Sequence, residues 1–311
     1  MIKDKFPSIK IRRISIRNYK GIDSLELEFP TPRIPGDPDI LVMGSRNGLG
    51  KTSILECCAL LLIGLSSEQY MFDVGRQYSS LDIPDMLIRA GEKRTEISGD
   101  IVLGERAITL EMSIDKKGVV KINNPPIELF DELRELRSVQ ENVLDSFLTT
   151  VCGISPNPVL SRQFLFFHSY RKVQEGNPEL GMMVERDNMP RRYRSRPGYE
   201  FPMSAFKLRM LRSLMGNANL FEIAEDQEPN HIIEKLNDLL KYYTGGTISK
   251  LRPSPDNTVD FRVKPINGAN SFTFDGLSSG QKEIISTLFL IWFHTQHSPS
   301  VVLIDEPELH L

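Results

Sequence analysis

Apolar and polar residues alternate along the first part of the chain. Ile9, Ile11, Ile14 and Ile16 are followed, past Asn18–Gly21, by Ile22, Leu25, Leu27 and Phe29. This period of two predicts two antiparallel strands joined around Asn18–Gly21. The pattern then changes. Ile40–Met43 is a continuous apolar run, which predicts a strand buried on both faces. A glycine-bearing turn follows, and then the long apolar stretch Ile54–Leu65, which predicts a helix. From Glu96 to Ile122 short strands return, with turns at Gly104 and Lys117–Gly118. Ile127–Leu148 has helical spacing, Arg162–Arg171 reads as another buried strand, and Gln174–Pro202 as an aperiodic polar loop. Met203–Met215 and His231–Tyr243 predict helices, Val259–Phe274 two more strands, Leu277–Gln296 a capped helix and Val301–Ile304 a last buried strand. Continuous apolar strands beside an antiparallel layer make the class α/β.

Composition narrows the picture. The 311 residues are 40% hydrophobic and 25% charged, enough for a sizeable core in a globular protein. A formal net charge of -3 supplies no global basic field, so contact with nucleic acid has to come from a local patch. Cys57, Cys58 and Cys152 show no CxxC spacing, which predicts a reducing compartment and no structural zinc site. The first residues carry no apolar secretory core. Ile54–Leu65 is interrupted by Glu56 and too short to span a bilayer. Together these predict a cytoplasmic protein with no membrane partner.

The turn before the long helix reads Ser45-Arg46-Asn47-Gly48-Leu49-Gly50-Lys51-Thr52, followed by Ser53. It fits the phosphate-binding pattern GxxxxGK[ST], with Ser45 in place of the first glycine and Gly44 one place earlier to lend flexibility. Such glycines let backbone N–H groups close around phosphates at the positive end of a helix. In that pattern Lys51 reaches the β- and γ-phosphates and the Thr52 hydroxyl ligates Mg²⁺, so ATP and Mg²⁺ are the expected ligands. Asp305 and Glu306 end the last buried strand. Two adjacent acids there are costly without a cation to neutralise them. Asp305 is expected at the metal, and Glu306 is expected to orient or deprotonate the attacking water. In Leu277–Lys282, Ser278 and Gln281 form a capping box, while Gly280 permits close backbone approach to an anion at a helix N-terminus.

The P-loop, the LSSGQ stretch and the apolar run ending in Asp305-Glu306-Pro307 stand in the order seen in ABC-type ATPases. The chain resembles more closely their SMC/RecF/OLD-like branch, which includes DNA-repair and anti-phage ATPases. "IRNYKGI" and "LIDEPELHL" are similar to that branch's N-terminal strand pair and extended Walker B segment. The resemblance covers about Ile9–Leu65 and Phe272–Leu311, and matches the middle only in outline.

It implies a P-loop NTPase of the ABC head type, a mixed sheet with an antiparallel N-terminal layer and a helical insertion. The implied divisions are an N-terminal lobe over 1–170, an insertion over 171–258, and a closing segment over 259–311. Two heads are expected to face each other across ATP as a homodimer or higher oligomer. Ser278, Ser279 and Gly280 are expected to act in trans on the nucleotide held by the other head, supported by Gln281. Asn18, Tyr19 and Lys20 are expected near the nucleotide, Lys20 at phosphate. Leu309–Leu311 are expected to open the D-loop at the dimer interface.

The implied function is an ATPase acting on DNA in repair or in anti-phage defence. The alternative is a nucleotide-gated scaffold that binds ATP, hardly hydrolyses it, and assembles or restrains an effector such as a nuclease or toxin. Glu306 favours the enzyme, since a scaffold has no need of a base there.

Some features depart from the family pattern. No clear Q-loop glutamine stands out: Gln163 precedes the buried strand Phe164–His168 and Gln174 follows it. His310 comes too early to be the switch histidine. By family order a further strand is expected beyond Leu311, so the sequence is expected to be the N-terminal portion of a longer product, or a truncated one, and to turn over ATP weakly alone. Arg186, Arg191, Arg192, Arg194 and Arg196 crowd one loop with Tyr193 and Tyr199. That loop is either a solvated surface segment or a contact for nucleic acid. His168 and Arg171 fall at the C-terminal end of a strand, where ligands collect in α/β folds.

Overall fold

The computed structural model describes residues 7–31, 39–46, 48–67, 71–74, 82–124, 159–161, 163–169, 229–248, 252–253, 259–268, 270–296 and 301–307, with positions 147, 150–151, 206–207 and 210. The expectations for Asn47, Cys152, Arg171, Gln174, the arginine-rich loop, His310 and Leu309–Leu311 lie outside them, as does most of the helix expected over Ile127–Leu148. Of Met203–Met215, only Phe206, Lys207 and Met210 are described, all helical. The chain divides into two compact units, one formed by Met1–Ser169 with His294–Glu306, the other by Tyr170–Phe293 with Pro307–Leu311.

In the first unit, the alternating segments form one antiparallel sheet. Its strands are β1 (Ile9–Tyr19), β2 (Ile22–Glu28), β3 (Met71–Asp73), β4 (Arg94–Leu103), β5 (Arg106–Asp115) and β6 (Val119–Asn123), in the order β2-β1-β4-β5-β6-β3. The expected hairpin is present, with Tyr19 opposite Ile22. So are the turns at Gly104 and Gly118, both left-handed. Ile14 and Ile16 of β1, Ile97 and Ile101 of β4, and Leu110, Met112 and Ile114 of β5 are buried on one face, as period-two patterning requires.

A second, small sheet holds the continuous apolar runs. Here β8 (Phe164–Phe167) lies between β7 (Val159–Leu160), antiparallel to it, and β14 (Val301–Ile304), parallel to it. Helix α1 (Lys51–Ser66) is buried from Ser53 to Leu65 and contacts β1, β4 and β5 of the large sheet and β8 and β14 of the small one. It is therefore a middle layer, which explains why its sequence is apolar all round rather than along one stripe.

Two glycines let the helix lie close to the large sheet. A Cβ on Gly64 would come within 2.8 Å of Met112 Cε, and one on Gly99 within 2.6 Å of Leu61 Cδ1 and 2.7 Å of the Arg13 carbonyl oxygen. Gly99 sits beside a register shift between Ile11 and Arg13. Glycine inside a strand marks such a close approach.

The expected strand Ile40–Met43 does not form. Residues 39–46 have no regular structure, and Ile40 and Val42 are 76% and 85% exposed. The neighbour of β14 is β8, not this run. Both edges of β8 are already occupied, and Asp39 holds the start of the segment to β1 through Lys10 (2.7 Å) and Arg12 (3.3 Å). Among the described residues the outer edge of β14 stays unpaired and the run does not take it, because an apolar run fixes a preference for burial and not a partner.

The second unit contains helical positions at Phe206, Lys207 and Met210, helix α3 (Pro229–Thr244) and most of α4 (Ser279–Thr295), α2 being the short helix Ile83–Leu87 of the first unit. Its small strands are β9 (Gly246–Thr247), β10 (Arg252–Pro253), β11 (Val259–Asp260), β12 (Arg262–Pro265) and β13 (Phe272–Thr273). They pair as β13-β12-β9 and β10-β11, so the two strands expected over Val259–Phe274 are three short ones. Phe206 packs on Phe274 and Phe289 with ring centroids 5.3 and 5.2 Å away. Trp292 packs on Phe289.

Candidate nucleotide site

Gly48 and Gly50 have φ of 82° and 84°, a region that only glycine enters without strain. Gly44 does not adopt it, so the loop turns on the two later glycines. Gly50 is the N-cap of α1, and its carbonyl accepts the helix's first bond from Ile54 N–H at 2.9 Å. The free N–H groups of the next residues therefore point out of the helix start. Lys51 Nζ donates to the Ser45 carbonyl at 2.9 Å and more weakly to that of Arg46, folding back over the loop. Ser45 Oγ donates to the Arg46 carbonyl. Arg46 and Leu49 are exposed, and Ser53 is buried.

The acids arrive from the far end of the sequence. The β8–β14 ladder continues past its last pair, with Asp305 N–H donating to the Phe167 carbonyl at 2.9 Å. This delivers the Asp305 carboxylate, 2% exposed, to Thr52. Thr52 Oγ1 lies 2.9 and 3.1 Å from its two oxygens. Glu306 follows with φ of 45°, an uncommon conformation outside glycine. It lines a cavity of about 480 Å³ together with Gly21–Leu25 and Gly48–Ser53, within the size range of small-molecule sites. Parallel strands put their C-terminal ends on one edge, where such sites form. Gln163 is at the opposite end of β8, its carbonyl accepting from Val301 N–H, so the position offered for a Q-loop residue is removed from Asp305. His168 is buried edge-on against the Phe166 ring.

One functional cluster was invisible as such in the sequence. Glu56, which there only interrupts an apolar run, is buried one helical turn beyond Thr52. Its carboxylate accepts from Lys20 Nζ at 2.6 and 2.7 Å and from Tyr19 Oη at 3.0 Å. Burial pushes the Glu56 carboxyl above its ordinary range, and Asp305 adds to this. Lys20 and the Tyr19 hydroxyl pull it down without cancelling the burial. Lys20, expected at phosphate, thus has its ammonium on Glu56. An acid within an otherwise apolar helix, facing a lysine-bearing turn, is the signal that would have found the cluster.

The capping box of the second unit is formed. Gln281 N–H donates to Ser278 Oγ at 3.3 Å, and Ser278 N–H to Gln281 Oε1 at 3.2 Å. Gln281 Nε2 also donates to the Tyr243 carbonyl at the end of α3. Ser278 and Ser279 are exposed and Gly280 half-buried. Lys282 Nζ donates to the Asp275 carbonyl, and the buried Lys207 ion-pairs with the Asp275 carboxylate at 2.5 Å.

The profile of the AAA domain matches residues 13–245. The chain belongs to the AAA domain family. The fold is α/β, with an antiparallel large sheet and a small mixed one. Similar curated proteins are the DNA replication and repair protein RecF of two strains of Desulfitobacterium hafniense, DSM 10664 / DCB-2 and Y51, each 27% identical over 125 residues. That match covers 40% of this chain and 29% of each relative, so the aligned part is less than a third of their length. Among solved structures, the chain is similar to the recombination mediator protein RecF with ATP, at 15% identity and TM-score 0.39, over 100% of this chain and 88% of that one. It is also similar to the SMC head domain from Thermotoga maritima, at 13% identity and TM-score 0.40, over 97% and 79%. Among the described residues no helix is long and apolar enough to cross a membrane.

Proposed function

We propose that this chain is the ATP-binding and ATP-hydrolysing head of a RecF-like protein that closes head to head around ATP and Mg²⁺ and serves DNA repair in the cytoplasm. The observation that carries the reading is the hydrogen bond between Thr52 and Asp305. It joins a P-loop hydroxyl to a carboxylate from the far end of the chain, beside the cavity that the P-loop lines. A hydroxyl and a carboxylate side by side are the hard oxygen donors that Mg²⁺ takes, with phosphate and water completing its shell. The left-handed glycines and the start of α1 suit the phosphates. The family match and the name of the curated relatives support the ATPase and repair parts of the reading.

Each residue then has a task. The N–H groups around Gly48–Lys51 cradle the phosphates. Lys51 moves its ammonium from the Ser45 carbonyl to the β- and γ-oxygens. Lys20 holds the β1–β2 turn on Glu56, beside the cavity wall that the turn leads into. Thr52 and Asp305 would hold Mg²⁺, which would supply charge neutralisation at the phosphates. Glu306 takes a proton from the attacking water as the new P–O bond forms and ADP leaves. Ser278, Ser279 and Gly280, presented by the Gln281 cap, contact the γ-phosphate held by a second copy.

The test is titration of the chain with a fluorescent ATP analogue, with Mg²⁺ and with EDTA. Saturable binding that EDTA weakens, and whose Mg²⁺ dependence is lost in Asp305→Ala, is expected. Absence of binding by the wild-type chain with Mg²⁺ overturns the reading.

A further inference from the structure

The β1–β2 turn is built around two residues in left-handed geometry, one of which, Lys20, ordinarily avoids it. Asn18 and Lys20 have φ of 55° and 48°, for Lys20 a strained choice. Such strain persists only where neighbours over-determine it, and here they do. Lys20 N–H donates to the Leu87 carbonyl at 2.7 Å, Arg89 N–H donates to the Asn18 carbonyl at 2.9 Å, and Tyr19 bridges Ile88. The side chains are held as firmly. Lys20 Nζ rests on both oxygens of Glu56 and lies 5.6 Å from the Tyr19 ring centroid. Tyr19 Oη donates to the same carboxylate.

Glu56 is four residues past Thr52, so the two side chains share a face of α1. On that face Thr52 meets Asp305 and Glu56 meets Lys20. The turn continues directly into Gly21–Leu25, which line the cavity opposite Gly48–Ser53. A buried carboxylate with two donors is a rigid anchor, since losing a donor leaves charge without compensation.

We infer that Glu56 is a positioning residue for ATP: by holding Tyr19 and Lys20 it clamps the β1–β2 turn to α1, and so sets where the cavity wall Gly21–Leu25 stands relative to the P-loop. The inference rests on the ATP-binding reading above. Glu56 touches neither nucleotide nor metal; it acts through Lys20. The same contact keeps one cavity wall in register with the P-loop, because the anchor and the P-loop lysine stand on a single helix.

The experiment is a double-mutant cycle in the affinity of the whole chain for a fluorescent ATP analogue with Mg²⁺, using Glu56→Gln, Lys20→Met and the pair. Each single variant is expected to bind about tenfold more weakly, within the losses that misplacing a positioned group brings. The double variant is expected to bind no more weakly than Lys20→Met alone, because either change already breaks the one contact that clamps the turn. A purely structural role would shift melting temperature but would not produce this non-additivity in affinity. Unchanged affinity in Glu56→Gln, or losses that simply multiply in the double variant, overturns the inference. If Glu56→Gln does not fold, Tyr19→Phe decides. It keeps the packing and removes one donor, and a loss of about threefold is expected; full wild-type affinity overturns the proposal. Wild-type protein that binds no ATP defeats the ATP reading itself, and that is visible in the first titration before any variant is made.

Discussion

Gly99→Ala adds one methyl group at the point where α1 meets the large sheet. The new Cβ would lie 2.6 Å from Leu61 Cδ1 and 2.7 Å from the Arg13 carbonyl oxygen. Leu61 can rotate away only into a buried layer. The carbonyl belongs to β1, which is paired with β4 on both sides of Arg13, from Ile9 to Arg17, and so has little room to move. Overpacking of this kind costs about 1–3 kcal/mol. Alanine recovers roughly 0.5–1 kcal/mol over glycine in a strand. A net loss of about 1–2 kcal/mol follows, and for a unit of this size each kcal/mol lowers Tm by about 2–4 °C. Thermal melting followed by circular dichroism should therefore show a drop of about 2–8 °C. ATP affinity should fall in the same variant, because α1 carries Lys51 and Thr52 and must tilt to make room. A variant that melts at or above the wild-type temperature would refute the close packing of helix and sheet from which the argument starts.

Further outcomes are expected elsewhere. Lys51→Ala should bind a fluorescent ATP analogue far more weakly than wild type, and equal binding would remove the P-loop from the site. Glu306→Gln should keep Mg²⁺-ATP binding and lose turnover, with more dimer in ATP by sedimentation; wild-type turnover would show that another group takes the proton. Because burial raises the Glu56 carboxyl above its unfolded value, its contribution to stability is full below the ordinary carboxylate range and is lost as pH rises through the folded value. Lys20, Tyr19 and Asp305 are the groups that face it. Melting from about pH 4 to pH 8 should show this decline in wild type and not in Glu56→Gln, and parallel curves would contradict it.

Much of the fold could be read from periodicity because each signal was local. The hairpin at Asn18–Gly21, the strands between Arg94 and Asn123, and the capped helix at Ser278 each follow from neighbours in sequence. Ile40–Met43 failed because an apolar run names no partner: the outer edge of β14 stays unpaired among the described residues and the run does not pair with it. The P-loop glycines and Asp305 stood out by pattern, yet their meeting through Thr52 spans 253 positions and only the fold could reveal it. Glu56 was legible merely as a break in hydrophobicity. Its meaning comes from Tyr19 and Lys20, which lie on a different strand and turn. Gly99 carried a signal, a glycine inside a strand, whose cause is the helix lying across it.

The middle position of α1 also bears on how the protein is made. One side of the helix is covered by β1, β4 and β5, all translated early; the other needs β14, which pairs with a strand made about 130 residues before it. At about 5–20 residues per second, roughly 7–26 s separate the two on the ribosome. During that interval the nascent chain carries an apolar helix with one flank bare and β8 with one edge open. Such an intermediate is a natural client for a ribosome-associated chaperone. Pausing synthesis just short of Val301 should yield a nascent chain sensitive to protease, and releasing it past Ile304 should protect the whole first unit at once.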